Sequence, residues 1–363
     1  MKNRTRPHPR PAPEPGPFAA PAGSRTGQPV ALELDDEWRR WIAENLLLGS
    51  TPAFIISHLV RKGCPVMLAQ REIAHAQASP YLKGAAVLQQ RLAKRDWLLA
   101  CASRLEAIGD DGAIPRRHHA LPADQFFREH YAAHRPATIS GLIDHWPARH
   151  SWSLDHFEAL LDNPLIEVQA GREADPAYEQ RSPDHKKLLP FAEILALLRE
   201  DRATNDFYIT ANNGAHNRNA LAPLWAEIGP IPVYLDAKSD RDGFFWMGPR
   251  GTITPWHHDL TNNLLIQICG RKRISLVSSN QTALMRNHLH CYSTLPGPSS
   301  LETLPVLERP RILSCILEPG DAIFIPVGWW HHVEGLDVTI GMSFTNFAWD
   351  NDFSSFYTTY DQV

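Results

Sequence analysis

Residues 254–274, TPWHHDLTNNLLIQICGRKRI, place two adjacent histidines and an aspartate directly before an apolar run. Side chains alternate between the two faces of an extended strand, so His257 and Asp259 should project together while His258 points away. An imidazole and a carboxylate on one face form half of a metal site. An isolated His-x-Asp is more often a structural hydrogen-bonded pair, so a metal site requires a third ligand from elsewhere in the chain.

The segment EPGDAIFIPVGWWHHVEG, residues 318–335, offers that third ligand. Its Glu-Pro-Gly-Asp turn should begin a strand that ends near His331 and His332, and spacing alone leaves both histidines open. Two histidines and one carboxylate bind Fe(II) on one face and leave three coordination positions for other ligands. A bidentate 2-oxo acid and dioxygen would fill those three positions.

Lys272 is the next candidate, because it begins the strand KRISLVS just after Gly270 and Arg271. The strand at 263–269 is expected to reverse at these two residues and to return as KRISLVS. A lysine at the start of a strand is usually solvated. Beside a metal it would instead pair with the distal carboxylate of a 2-oxo acid, a contact of about 1.5–3 kcal/mol. Thr254 offers a hydroxyl to the same carboxylate.

The bulk properties exclude several classes of protein. A net charge of -4 gives no general attraction to nucleic acid or to an anionic membrane. No apolar run reaches the roughly 18 residues that a membrane span needs, and the basic N-terminus lacks the apolar centre of a secretory signal. Five cysteines without CxxC spacing indicate free thiols, so we expect a cytoplasmic protein.

The chain is expected to contain three parts. Residues 1–30 are rich in proline and should form a disordered tail. Residues 31–110 contain four helical segments, the last with apolar positions 82, 85, 88 and 92 at helical spacing, and should form a module for packing or homodimerisation. Residues 111–363 contain many short β-like runs separated by turns, which predict a barrel or sandwich.

The two motif segments resemble the signatures of the Jumonji C (JmjC) and cupin-like hydroxylases, which are Fe(II)- and 2-oxoglutarate-dependent oxygenases. The resemblance covers about residues 115–350. It includes the GPRGT lead-in, the His-x-Asp, the asparagine four residues later, the GRK turn and the PGD…IP…WWH element. It implies a mainly β fold with helices, in which a double-stranded β-helix (cupin, or jelly-roll) core follows the N-terminal α-helical module.

The resemblance also implies the metal ligands and the reaction. His257, Asp259 and His331 would bind the iron, and His332 would be a neighbour only. 2-Oxoglutarate would be converted to succinate and CO2, and a ferryl oxidant would abstract hydrogen from a C–H bond of the substrate before that carbon is hydroxylated.

For the cosubstrate, the resemblance implies that Lys272 binds the C5 carboxylate with help from Thr254 and Asn263. A tyrosine often assists in this family, but Glu173 stands about where that tyrosine would fall. Two other tyrosines are the alternatives, namely Tyr178 and Tyr208.

For the substrate, the resemblance favours a protein or peptide side chain such as arginine. Trp246, Tyr208 and Asn346 are the predicted contacts, and the acids that would recognise a cation are Glu167, Glu173, Asp175 and Glu179. In the last strand, VTIGMSFTNF, the small residues should face the iron and the bulky ones should pack behind. The insertion at 279–311 would be a lid or clamp, or else a plain surface loop.

Three alternatives remain open from the sequence. The chain could be a small-molecule hydroxylase or a demethylase of the same class, or a JmjC-like binding module without turnover. It could also be a cupin that uses its metal for another reaction, although such cupins usually present three or four histidines and need no lysine for an oxo acid.

Overall fold

The structure is a computed structural model that describes residues 33–109, 112–211, 214–238 and 243–357. The predicted Pro-rich tail at residues 1–30 lies outside the described residues. Contacts within the chain divide it into two compact units, with the division after Cys101. The sequence predicts this boundary near residue 110.

The N-terminal unit is helical, as its capped segments predict. The side chain of Asp35 accepts a hydrogen bond from the backbone N–H of Trp38, and Thr51 does the same for Phe54, which starts the first two helices. The helices are α1 (Asp36–Leu47), α2 (Pro52–Arg61) and α3 (Val66–Ala78), followed by α4 (Pro80–Ile108), which begins in this unit and ends after the division at Cys101.

The core of this unit lies between α1, α2 and α3, where Trp38, Trp41 and Ile55 are buried. The fourth helix forms as predicted, but no residue of α4 is buried. Leu88 and Leu92 of the expected apolar stripe are 58% and 55% exposed. The packing or homodimerisation role of the helical module stays a prediction.

The C-terminal unit contains all the strands of the described chain. Its strands are β1 (Arg116–Arg117), β2 (Ala137–Ile139), β3 (Leu165–Ala170), β4 (Lys186–Pro190), β5 (Phe207–Tyr208), β6 (Phe244–Gly248), β7 (Ile253–His258), β8 (Asn263–Cys269), β9 (Lys272–Val277), β10 (Asn287–Leu289), β11 (Tyr292–Ser293), β12 (Leu313–Leu317), β13 (Ala322–Ile325), β14 (Trp330–Gly335) and β15 (Thr339–Phe344).

Two six-stranded sheets make up the core of this unit. One has the order β1-β2-β13-β8-β15-β6 and the other the order β10-β11-β7-β14-β9-β12. From β6 to β9, and again from β12 to β15, successive strands lie in opposite sheets. This winding produces the predicted double-stranded β-helix, with an interior between the two sheets.

Strand alternation separates the interior from an outer core. On β15, Ile340, Met342 and Phe344 lie in the outer hydrophobic cluster, while the small residue Ser343 lines the interior pocket. This is the arrangement that the sequence of the last strand predicts.

The strands on either side of the predicted turn at Gly270 and Arg271 are not paired with each other. The two strands lie in different sheets, and Gly270 carries the chain from one sheet to the other. Gly270 has a φ of 67°, and a Cβ atom there would lie 2.1 Å from the backbone oxygen of Val338. Only glycine fits a backbone that both turns and passes so close to its neighbour.

A third sheet, with the order β4-β3-β5, adjoins the barrel through an isolated bridge between Ile209 and Met247. The remaining helices of this unit are short, and none of the described helices could cross a membrane. They are α5 (Ala123–Phe126), a π-helix (Phe127–Tyr131), α6 (Pro147–Ser151), α7 (Leu154–Leu160), α8 (Phe191–Arg199), α9 (Gly214–Ala220), α10 (Ala222–Trp225) and α11 (Pro298–Leu301).

The insertion at 279–311 is part of the barrel wall rather than a loose loop. Its strands β10 and β11 extend one sheet, and β11 pairs with β7 so that Tyr292 lies opposite His257.

We expect Gly270→Ala to lower the free energy of unfolding of the C-terminal unit by about 3 kcal/mol or more, because the added methyl group collides with backbone. Gly171→Ala is the control. Gly171 also has a positive φ, of 78°, but nothing lies within 4 Å of the position that its methyl group would take, so we expect a cost of about 1 kcal/mol. Urea denaturation measures both, and equal costs would contradict the proposed collision.

Candidate metal centre and adjoining pocket

The three predicted ligand residues meet inside the barrel. Nε2 of His257 lies 4.0 Å from Oδ1 of Asp259, and Nε2 of His331 lies 3.8 Å from Oδ2 of the same carboxylate. One ligand atom from each residue lies within 4.8 Å of the other two. Ligand atoms that bind one ion at about 2 Å lie roughly 3–4 Å apart, so small side-chain rotations would bring these three atoms onto a single ion.

Strand pairing produces this meeting. Strand β14 runs antiparallel to β7, and His331 is the direct partner of His257 in the register. Directly paired residues project from the same face of a sheet, so both rings enter the interior. The ring centroids are 4.0 Å apart.

Both imidazoles are oriented by the backbone. Nδ1 of His257 lies 2.8 Å from the carbonyl oxygen of Pro255, and Nδ1 of His331 lies 3.0 Å from that of Trp329. A carbonyl only accepts hydrogen bonds, so each Nδ1 carries the proton and each Nε2 keeps a free lone pair. This tautomer is the one that binds a metal through Nε2.

The electrostatics keep the ligands in their metal-binding forms. Burial, followed by the neighbouring His331, lowers the pKa of His257 to about 4, so that its ring is neutral at pH 7. Burial would raise the pKa of Asp259, but the two histidines and a hydrogen bond from Asn263 outweigh it and lower that pKa. A neutral imidazole and an ionised carboxylate result.

Asn263 lines the same pocket as Lys272. Its Nδ2 donates to Oδ2 of Asp259 at 2.9 Å, so the side chain orients the ligand carboxylate. Its predicted help in binding the distal carboxylate of the cosubstrate stays a prediction.

Two neighbouring histidines stay outside the cluster. His332 points to the opposite face and packs against Trp256, with ring centroids 5.6 Å apart. His258 packs edge-on against Trp330 at 4.8 Å. The choice between His331 and His332, which spacing left open, is made by strand alternation.

A pocket of about 410 Å³ adjoins the three ligands, and Lys272 lies in its wall. The side chain of Lys272 is fully buried, and in the described part of the chain its one hydrogen-bond partner is Tyr208 Oη, at 3.2 Å. Burial lowers the pKa of Lys272 to about 7. A buried amine without a carboxylate partner fits a site that receives an anion.

Tyr208 and Thr254 lie with Lys272 in this pocket. The sequence predicts two roles for Tyr208. It is a candidate substrate contact, and it is one of two candidates for the tyrosine that helps to bind the cosubstrate. Its contact with Lys272 supports the second role. The other alternative, Tyr178, donates to the backbone oxygen of Ile253 and does not line the pocket.

Of the other predicted substrate contacts, Trp246 lines the pocket and Asn346 does not. Nε1 of Trp246 donates to Oγ of Ser343 at 2.8 Å. Asn346 lies outside this pocket and donates to the backbone oxygen of Asp236, so the structure does not support its predicted substrate contact, which stays a prediction. The alternation that turns Ser343 inward also turns Thr345 inward and Asn346 outward.

Of the four acids predicted to recognise a cation, only Glu179 lines the pocket. Glu167 pairs with Lys186 at 2.9 Å, and Asp175 pairs with His185 at 3.0 Å. Glu173 accepts hydrogen bonds from the hydroxyl of Thr204 and the backbone of Asn205.

The insertion contributes pocket residues that no sequence pattern identified, namely Cys291 and Tyr292. The ring centroid of Tyr292 lies 6.4 Å from that of His257. Its hydroxyl also contacts the backbone oxygen of Glu179 at 3.4 Å, across the pocket rim. Only the pairing of β11 with β7 places this segment beside the metal ligands.

The residues present fit a divalent iron centre. Two imidazoles and one carboxylate are its preferred facial ligand set, and both Nε2 lone pairs are free to bind. The buried amine at the other end of the same pocket fits an anionic ligand that reaches the metal.

Comparison with known proteins identifies relatives of the C-terminal unit. Residues 123–355 match the model of the cupin-like domain family. Lysine-specific demethylase 8 of Xenopus tropicalis is 30% identical over 248 residues, which are 65% of this chain and 53% of that protein. The lysine-specific demethylase JMJ30 of Arabidopsis thaliana is 29% identical over 66% of this chain and 55% of its own length.

A further relative is the 2-oxoglutarate and iron-dependent oxygenase JMJD4 of Danio rerio, which is 25% identical over 61% of this chain and 58% of its own length. The chain thus spans little more than half the length of these three relatives.

We expect Lys272→Met to stabilise the ligand-free protein at pH 7 by about 1–3 kcal/mol, because it removes a buried charge. The pKa of Lys272 is about 7 in the folded protein, against an ordinary value of 10.5 for a solvated lysine, so the unfolded chain binds more protons between these values. The stability of the wild type should therefore rise with pH across this window, and the advantage of the variant should disappear near pH 10.

Urea denaturation between pH 6 and 10 measures this difference. Lys187→Met, at an exposed position on β4, is the control and should change neither the stability nor its pH dependence. Parallel stability profiles for the wild type and Lys272→Met would contradict the burial of an unpaired amine.

Proposed function

This chain belongs to the cupin-like domain family, and on that premise we propose that it is an Fe(II)- and 2-oxoglutarate-dependent oxygenase that hydroxylates a C–H bond of a protein side chain. The observation that carries the proposal is the joint presence of two sites in one pocket. A three-residue metal site lies at one end, and a buried amine lies at the other. The relative from Danio rerio is named for the same two cofactors.

His257, Asp259 and His331 would hold the metal on one face and leave its remaining positions to the pocket. Bound Fe(II), with 2-oxoglutarate as reductant, would supply the activation of dioxygen, so that one oxygen atom enters the substrate and the other enters succinate as CO2 leaves. Asn263 keeps one carboxylate oxygen of Asp259 fixed.

Lys272, Tyr208 and Thr254 would bind the distal carboxylate of 2-oxoglutarate. The Lys272 amine would regain its full charge beside that carboxylate, since an opposite charge favours the protonated form. Apolar side chains such as Leu265, Ile325 and Val333 line the same pocket and limit the access of water.

For the substrate, we propose a cationic protein side chain such as that of arginine or lysine. Glu179 supports this, because its carboxylate is buried in the pocket wall and lies near enough to influence the pKa of His257. Two relatives are named lysine-specific demethylases. Hydroxylation of an N-methyl carbon leads to demethylation, so the outcome depends on which carbon faces the metal.

A binding module without turnover is the competing proposal. It would have no need for the tautomer that leaves Nε2 free on both histidines, or for a buried lysine without a carboxylate partner. The buried lysine costs stability in the ligand-free protein, and both features favour the oxygenase.

The neighbouring histidines provide a matched test. We expect His331→Ala to lose Mn(II) binding under anaerobic conditions and to reduce succinate formation from 2-oxoglutarate to the background without enzyme. His332→Ala, at a position that packs against Trp256, should keep both properties. Wild-type protein that binds Mn(II) but releases no succinate in the presence of Fe(II) and oxygen would favour the binding module instead.

Glu179→Gln tests the substrate class. We expect it to raise the KM for peptides with a central arginine or lysine about tenfold, because a charge-assisted contact is lost. Because Glu179 also pairs with Arg172, the KM for 2-oxoglutarate is measured for the same variant, and the rise in the peptide KM should exceed any change in it. Glu173→Gln is the control, since that carboxylate lies outside the pocket. Mass spectrometry of the peptide distinguishes hydroxylation from loss of a methyl group, and equal KM values for both variants would exclude Glu179 from recognition.

A further inference from the structure

Arg172 is a fully buried guanidinium behind the pocket wall, and the proposed reaction does not account for it. It follows Gly171 at the end of β3, and its side chain is 0% exposed. Nη2 donates to Oε1 of Glu179 at 2.9 Å and to the backbone oxygen of Ile253 at 2.8 Å. Ile253 directly precedes Thr254 on β7. Arg172 thus ties the third sheet to the barrel beside the anion-binding end of the pocket.

The other contacts of Arg172 are with aromatic rings. Its Cζ lies 4.3 Å from the ring centroid of Tyr178 and 5.1 Å from that of Tyr208. Nε and Nη1 have no hydrogen-bond partner among the described residues. The position of the guanidinium therefore depends on the Glu179 pair, one backbone oxygen and these two rings.

Tyr208 connects Arg172 to the pocket. Its hydroxyl accepts the hydrogen bond of Lys272 Nζ at 3.2 Å. The ring packs so closely on Gly248 that a Cβ atom there would lie 2.5 Å from it, and Trp246 lies 5.8 Å away. With Gly248 and Trp246 on the barrel and Arg172 on the third sheet, the ring is held from several directions.

We propose that Arg172 is a positioning residue for the anion subsite. By packing against Tyr208, it holds the tyrosine hydroxyl where Lys272 and the distal carboxylate of 2-oxoglutarate both reach it. This inference rests on the proposed function, because the anion is the cosubstrate of that reaction. Arg172 does not line the pocket, so it acts through Tyr208 rather than on the ligand.

A purely structural role makes a different prediction. A buried ion pair that only supports the fold would lower the unfolding temperature when broken, without a specific effect on the cosubstrate. A positioning role predicts weaker 2-oxoglutarate binding in protein that remains folded, with unchanged affinity for the metal.

The test measures Mn(II) and 2-oxoglutarate affinities anaerobically by calorimetry, with thermal unfolding in parallel. Arg172→Lys keeps the charge beside Glu179 but lacks a planar group that stacks on tyrosine. We expect it to stay folded and to bind 2-oxoglutarate about tenfold more weakly, with Mn(II) affinity unchanged. Arg199→Met is the control, because Arg199 pairs with Asp155 and Glu158 on the surface.

A double-mutant cycle tests the route through Tyr208. Tyr208→Phe and Arg172→Met should each weaken 2-oxoglutarate binding about tenfold, and the double variant should be close to either single variant rather than about a hundredfold weaker. Independent losses that multiply would overturn the proposed route, as would a folded Arg172→Lys with wild-type affinity. Failure of Arg172→Lys to fold would assign the residue to stability alone. Wild-type protein that binds no 2-oxoglutarate would contradict the proposed function itself.

Discussion

The pairing of β14 with β7 is the constraint on which the rest of the site depends. The two strands are far apart in the chain, and their register places His331 opposite His257. A shift of one residue would turn His332 inward in place of His331 and bring the wrong ring to Asp259. The pairing thus determines the positions of two ligands, while the carbonyls of Pro255 and Trp329, each two residues before its histidine, set the tautomers.

The pocket is polar at its two ends for different reasons. At the metal end, burial keeps His257 neutral, while the two histidines and Asn263 keep Asp259 ionised. At the other end, the same burial acts against Lys272, which has only a tyrosine hydroxyl as its partner among the described residues. The ligand-free protein therefore carries an unfavourable charge there, and binding of an anion would remove that cost. This is a common property of sites built for function rather than for stability.

Two additions to the barrel complete the pocket. The third sheet carries Tyr208 to Lys272 and, through the turn after β3, holds Arg172 and Glu179 at the wall. The insertion pairs with β7 and brings Tyr292 beside His257. The core strands supply the metal site, whereas these additions shape the space above it. Differences in substrate among relatives with the same core are expected to arise in such segments.

The sequence by itself determined the family through the resemblance of its two motif segments, and that resemblance implied the double-stranded β-helix. Strand alternation, turn residues and helix caps act locally, and they predicted a barrel or sandwich after a helical N-terminal region. The same alternation predicted that His257, Asp259 and Lys272 face one interior. Continued past the last strand, it would have selected Thr345 rather than Asn346 as the residue that lines the pocket. Only the tertiary structure decided that β8 and β9 lie in different sheets and that Asn263 donates a hydrogen bond to Asp259. It also decided that Tyr208, Glu179 and Tyr292 line the pocket. These contacts join segments distant in the chain, and their geometry depends on packing that no local pattern encodes.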